Sequence, residues 1–270
     1  MDFKIFDCIT FYDENLITNA RFEILKDVVD FFIVCESKYD HNGNKKKINF
    51  KLKNDEHSKK IRHIVIEENF PELHSGWGIE EYQREKILPY IEDAKDDDYV
   101  MYSDSDEIPN PEILRKFNLK KKYGIFLQKF FVYKINVFNK YETPWQGTRI
   151  CKKKNLKSIT HLRKKIKVEN LKKAFWKLQY EKNIQIFDDG GWHFNNLYDA
   201  ETISTKLRNI QNVDKGLKNV YTEIDMIKNK MLNLEDVFHR NHKYEKISID
   251  EKYPKYIRNN LGIFKDFILK

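Results

Sequence analysis

Residues 31–35 read Phe-Phe-Ile-Val-Cys, five apolar side chains in succession. A strand with one wet face alternates, so a short unbroken run marks a strand covered on both faces. Such a strand needs helices above and below it, and its neighbours supply the patterns. Residues 4–11 alternate as a strand, and residues 16–29 place Ile17, Ile24, Leu25 and Val28 at helical spacing. Residues 61–66 form a third strand candidate, 78–91 a helix, and 98–103 a fourth strand. Pro111 suits the first position of the next helix. This alternation predicts an α/β chain built on a mostly parallel open sheet with helices on both faces.

The second half is less regular. Residues 124–138 read as an aromatic strand pair or one bent strand. Residues 184–187 read as a short strand that runs into a turn, Asp188-Asp-Gly-Gly-Trp-His193. Residues 199–211, 222–232 and 254–269 carry helical patterns, so the C-terminal part is expected to be mainly helical. No repeat or flexible linker divides the 270 residues, and a single domain is expected.

Composition narrows the partners. Nineteen Phe and fifteen Tyr argue against disorder. A net charge of +8 and a pI near 9.0 favour acidic partners such as phosphates or an anionic membrane surface. Twelve of the basic residues fall within 152–182, against Glu169 and Glu181 alone. That stretch reads as a solvated charge run, or as a contact for anionic glycolipid, membrane lipid or nucleic acid. Cys8, Cys35 and Cys151 are an odd set in apolar surroundings, which suggests buried thiols and no disulfide framework. No apolar run approaches the roughly 20 residues of a membrane span. A soluble, cytoplasmic protein, with at most peripheral membrane association, is the expectation.

The chemistry gathers in residues 98–112, DYVMYSDSDEIPNPE. An apolar run ends in Asp104, Asp106 and Glu107, and prolines follow at once. Ligands of open α/β sheets sit beyond the carboxyl ends of the strands, where this cluster falls. So do Thr10 and Phe11 after the first strand, and Glu36 after the second. In an extended segment Asp104 and Asp106 point the same way and repel unless a cation lies between them. Mg²⁺ or Mn²⁺ takes oxygen ligands and leaves positions for substrate phosphates. The alternative is a solvated acidic turn. His193 is a further metal-ligand candidate, its alternative being a core histidine beside Trp192. Arg84 either contacts a phosphate or lies on a solvated helix face.

Several ordered segments together resemble glycosyltransferase family 17. They are residues 14–37 (ENLITNARFEILKDVVDFFIVCES), 43–50 (GNKKKINF), 78–84 (GIEEYQR), 104–109 (DSDEIP) and 191–194 (GWHF), followed by Lys206. The resemblance implies an inverting, GT-A-like transferase domain over residues 1–270. Residues 1–118 would be its nucleotide-sugar-binding half, and 119–270 the half that binds acceptor and completes the metal site. It implies a UDP-sugar donor, most often UDP-N-acetylglucosamine, and a glycan, glycolipid or glycoprotein acceptor. Against the family's animal enzymes the expectation is a shorter chain without their N-terminal membrane anchor.

In that frame Asp104, Asp106 and His193 would hold Mn²⁺ or Mg²⁺, with Asp104 alternatively on the ribose. Thr10, Phe11, Glu36, Lys45, Lys46, Arg84 and Lys206 would bind the donor. Asp189, Asp188, Glu142 and Glu107 are candidates for the general base, and Trp145 and Trp192 for stacking on acceptor sugar rings. Two other readings use the same charges: a metal-dependent nuclease, and a non-catalytic module that binds phosphate or nucleic acid.

Overall fold

The computed structural model describes residues 3–71, 76–209 and 222–270. Its N-terminal half runs β1 (Ile5–Phe11), α1 (Asn15–Leu25), β2 (Phe31–Ser37), β3 (Ile61–Ile66), α2 (Gly76–Glu85) and β4 (Tyr99–Asp104). Then come β5 (Glu107–Pro109), α3 (Pro111–Arg115), β6 (Tyr123–Val132), β7 (Val137–Phe138), β8 (Trp145–Lys152) and α4 (Ile159–Lys165). The chain closes with β9 (Ile184–Asn195), α5 (Ala200–Asn209), α6 (Ile224–Leu232), β10 (Glu245–Lys246) and α7 (Lys255–Asn259).

The sheet order is β10-β7-β6-β8-β4-β1-β2-β3, with β9 paired to both β6 and β5. β1 runs parallel to its neighbours β2 and β4, and β2 to β3, so these four strands share one direction. β8 enters antiparallel between β4 and β6, while the long β6–β9 ladder is again parallel. Most of the paired register is parallel, as the α/β alternation predicts.

The unbroken apolar run is explained by two layers. Ile5, Ile9 and Phe11 of β1 pack with Ile17, Phe22 and Leu25 of α1. Phe6 and Cys8, pointing the other way, pack with Ile33, Cys35, Val100 and Tyr102, and with Ile159 and Leu162 of α4. All three thiols are buried. A third apolar cluster joins Phe130 and Val137 to Ile203 and Leu207 of α5 and Ile227 of α6.

Asn110 caps α3 by accepting from the Glu112 N–H, and Pro111 fills its first position. The helix over 78–91 stops at Glu85 and resumes as a single 3-10 turn, Leu88–Ile91. Pro89 there has no N–H for a longer helix.

Two sequence expectations are corrected. Residues 188–193 are no turn but part of the 12-residue strand β9. Pairing passes from Phe126↔Phe187 to Gln128↔Gly191, so Leu127 alone faces residues 188–190 and the excess bulges out. Asn110 secures the bulge, donating to the carbonyls of Asp189 at 3.0 Å and Gly190 at 2.9 Å. The helix over 254–269 is also cut short, at Asn259. Asn260 and Gly262 are poor helix formers, and the tail instead bonds the β6–β7 connection. Ile135 N–H donates to Phe267 O at 2.9 Å, and Leu269 N–H to the Asn136 side chain at 2.8 Å. The helix over 199–211 is seen to Asn209; positions 210 and 211 lie outside the described residues.

Candidate active site

The carboxyl ends of β1, β2 and β4 open on a cleft of about 360 Å³. Of the residues singled out in the sequence, Thr10, Phe11, Lys46, Arg84, Asp104, Asp106, His193 and Lys206 line it. Parallel strands place their ends on one rim, and β9 brings His193 to that rim by pairing with β5, where His193 stands opposite Glu107.

Asp106 and His193 face each other, with Nε2 3.4 Å from Oδ1 and side chains 12% and 8% exposed. Burial pushes the Asp106 carboxyl up, but His193, and then Lys206, outweigh it and hold it down to about 2. Burial likewise works against a charged His193, yet Asp106 raises its pKa overall. The other ring nitrogen, Nδ1, is buried without a hydrogen-bond partner among the described residues. Trp145 and Phe130 pack against the ring, at centroid distances of 5.0 and 4.4 Å.

In the same cleft, Arg84 of α2 donates through Nε to the Tyr102 hydroxyl at 3.2 Å and through Nη2 to Glu80 at 2.7 Å. The Tyr102 hydroxyl in turn bonds Thr10 Oγ1 at 2.9 Å. Arg84 Nη1 is buried with no partner among the described residues. A buried guanidinium nitrogen left open beside a cleft is a donor awaiting an acceptor.

Sequence reasoning missed the residue that organises the acidic cluster. Arg163, from α4 in the basic run, forms an ion pair with Asp104 and grips Glu107 through both terminal nitrogens. A basic run signals charge, but nothing in its periodicity says which member folds back. The ion pair takes Oδ2 of Asp104, which sets this carboxylate apart from the Asp106–His193 pair. Behind the cluster, Arg21 of α1 is buried in a pair with Asp7 and donates to the Glu107 carbonyl. Glu14 was also missed. It lines the cleft and, together with Asp106, an adjoining hollow of about 260 Å³.

Several proposed site residues lie elsewhere. Glu107 is fully enclosed, and its carboxylate accepts from Arg163, from Trp145 Nε1 at 2.6 Å and from the Asp104 N–H at 3.1 Å. It has no freedom to take a proton from an acceptor. Glu36 is equally enclosed and clamps the 46–50 segment. It holds Lys46 Nζ at 2.7 Å, the Asn49 N–H at 2.7 Å and the Phe50 N–H at 3.1 Å, with His63 at 3.3 Å. Lys45 is exposed and bridges Tyr39 through the backbone.

Asp188 and Asp189 are exposed on the β9 bulge, and Asp189 pairs with Lys129 in a separate groove. Glu142 pairs with Arg240 at 2.7 Å, away from the cleft. Trp192 is a core residue, 7% exposed, whose Nε1 donates to Lys252 O at 3.0 Å. Trp145 is half-buried and committed to Glu107 and His193. No helix among the described residues is long and apolar enough to cross a membrane.

No curated protein matches the sequence. Among solved structures the chain is similar to a glycosyltransferase involved in glycosylation of the major capsid of PBCV-1. Identity is 10%, with 68% of this chain and 81% of that chain covered and a TM-score of 0.33. It is similar also to glucosyl-3-phosphoglycerate synthase from Mycobacterium tuberculosis, in complex with Mg²⁺ and uridine diphosphate. Here identity is 13%, with 80% and 82% covered and a TM-score of 0.34. A putative glucose-1-phosphate thymidylyltransferase from Bacillus anthracis shares 11% identity over 68% of this chain and 86% of that one, with a TM-score of 0.36. The family model for glycosyltransferase family 17 matches residues 1–248, nearly the whole chain, and that match replaces the nuclease and non-catalytic readings of its charges: the chain belongs to glycosyltransferase family 17, as a glycosyltransferase enzyme.

Proposed function

We propose that the cleft binds a UDP-sugar, with N-acetylglucosamine as the sugar, and transfers it with inversion to a hydroxyl of a glycan or glycolipid. The observation that carries this reading is the Asp106–His193 pair sharing one cleft with an Arg84 nitrogen that has no partner among the described residues. Two donors to one octahedral ion at about 2.1 Å each stand about 3 Å apart, close to the 3.4 Å between these atoms. Asp106 and His193 therefore fit as the protein ligands of Mg²⁺ or Mn²⁺, with the remaining positions left to water and phosphate oxygens. Among the described residues no group of three or more His, Cys, Asp or Glu side chains is placed to hold an ion, so these two would be the chain's own ligands. A bound ion would supply Lewis-acid charge to the departing diphosphate.

The chain's own residues do the rest. Arg84 Nη1 and Lys206 direct fixed positive charge at the diphosphate, preorganised before the bond breaks. Asp104, its Oδ2 occupied by Arg163, offers Oδ1 to a ribose hydroxyl. Thr10 and Phe11 face the nucleoside.

Inversion needs a base on the acceptor side. Glu14 is the carboxylate that suits it, lying between the cleft and the adjoining hollow. Its Oε2 is oriented by the N–H groups of Tyr12 and Asp13, both at 3.1 Å.

Incubating the full chain with a panel of nucleotide-sugars and Mn²⁺, and following nucleotide release, tests the reading. UDP-N-acetylglucosamine should give the fastest release. Absence of release from every donor, or preference for a non-uridine nucleotide, would overturn it.

A further inference from the structure

Residues 171–182, LKKAFWKLQYEK, present their apolar side chains to solvent. Phe175 is 81% exposed, Trp176 68% and Leu178 87%. Isolated apolar side chains on a surface are ordinary, but three large ones within four residues are not. Exposure this high means that, apart from one another, these side chains have little packed beside them among the described residues, so they project.

The projection is built. Lys182 turns its ammonium inward and donates to the carbonyls of Ala174 at 2.9 Å, and of Phe175 and Lys177, both at 3.2 Å. Backbone bonds from Lys177 N–H to Ala174 O at 3.0 Å and from Tyr180 N–H to Lys177 O at 3.2 Å tighten the same loop. Phe175 and Trp176 pack edge to face, with centroids 5.0 Å apart. Lys172, Lys173 and Lys177 surround the tip and are exposed. Its single acid, Glu181, lies 3.7 Å from Lys122.

We propose that residues 171–178 are a membrane-docking tip that seats Phe175, Trp176 and Leu178 in the interface of an anionic lipid bilayer, with Lys172, Lys173 and Lys177 against the headgroups. Lysine is depleted from the centres of protein–protein interfaces, and a protein partner would have to offer a pocket to so convex a tip. A bilayer interface favours an aromatic tip inside a ring of lysines, because the rings enter the headgroup boundary while the ammonium groups stay wet. Anionic lipid adds attraction for each lysine near the surface. The proposal stands apart from the transferase reading, since no residue of the tip lines the cleft.

The test is co-sedimentation of the full chain with phosphatidylcholine vesicles, with and without about 30% phosphatidylserine, read alongside tryptophan emission. The intact chain should partition onto anionic vesicles at least about tenfold more strongly than onto neutral ones, less so in high salt. A blue shift on binding should be absent in Trp176→Phe. The triple variant Phe175→Ala/Trp176→Ala/Leu178→Ala and the triple variant Lys172→Glu/Lys173→Glu/Lys177→Glu should each lose about tenfold or more. These side chains are exposed, so both variants should fold and unfold as the parent does. Equal partition onto neutral vesicles, or undiminished binding by either triple variant, would overturn the proposal. So would self-association without lipid binding that the apolar triple variant abolishes.

Discussion

Arg163 meets Glu107 fork to fork, with Nη2 2.8 Å from Oε1 and Nη1 3.0 Å from Oε2. The glutamate is fully buried and the arginine 12% exposed, so each depends on the other for its charge to be tolerated. Arg163→Ala should leave a buried carboxylate without its cation and cost about 3–5 kcal/mol in urea unfolding. Arg163→Lys should recover only part of this, since a point charge cannot span both oxygens. A near-neutral Arg163→Ala would mean that the basic run does not hold the acidic cluster in place.

Glu36 makes acid stability a local matter. Burial raises its pKa, but bonds from His63, Asn49 and Lys46 outweigh this and lower it from 4.5. A depressed carboxylate pKa adds stability that is present above the unfolded value and lost as pH falls through the folded one. Glu36→Gln should therefore be less stable than the parent at neutral pH, and the gap should close as pH falls below about 4.5. Thermal unfolding of both proteins across that window reads the effect. A gap that stays constant with pH would remove Glu36 as its origin.

Gly191 sits at φ +132°, and an added Cβ would collide with the Ile108 carbonyl. Gly191→Ala should cost about 2 kcal/mol or more, from strain and displaced backbone together. Gly262 has open space around it, so Gly262→Ala should be neutral or slightly stabilising. Calorimetry of the pair checks the close approach of β9 to β5 at Gly191. Equal melting temperatures for the two variants would contradict it.

The strands and the rim they form were legible because each apolar run of the first half is short, bounded and separated by a helical pattern. Phe31–Ser37 closes on Glu36 and Ser37, and Tyr99–Asp104 on Asp104, so the position of polar groups at strand ends could be read directly. Their uses could not. Glu36 and Asp104 look alike in sequence, yet one is sealed around Lys46 and Asn49 while the other faces the cleft. The glycines at 190 and 191 suggested a turn, because glycine marks turns and bulges alike; only the continued pairing of β6 with Trp192 and His193 separates the two. The general-base candidates Asp188, Asp189, Glu142 and Glu107 all follow the β4 strand in sequence, and none of them lines the cleft. Glu14 reaches the cleft from the loop after β1, a long-range approach that no local pattern records.

Glu14→Gln should lower kcat by about 10²–10⁴-fold with little change in UDP affinity, since a general base acts on the acceptor and not on the nucleotide. Asp189→Asn, on the exposed bulge, should leave kcat near the parent value. Steady-state transfer rates compare them directly. A large loss in Asp189→Asn with none in Glu14→Gln would reverse the assignment of the base.

If Asp106 and His193 hold the ion that binds the donor diphosphate and Asp104 does not, the ion's contribution to UDP affinity must run through those two side chains. Titration calorimetry of UDP into the parent chain, Asp106→Asn, His193→Ala and Asp104→Asn, each with Mn²⁺ and with EDTA, tests it most directly. The parent should bind UDP more tightly with Mn²⁺. Asp106→Asn and His193→Ala should each lose that gain, by about tenfold to a hundredfold. Asp104→Asn should weaken binding by the same factor in Mn²⁺ and in EDTA. Equal UDP affinity of the parent chain in Mn²⁺ and EDTA, or a full Mn²⁺ gain in Asp106→Asn, would contradict the account.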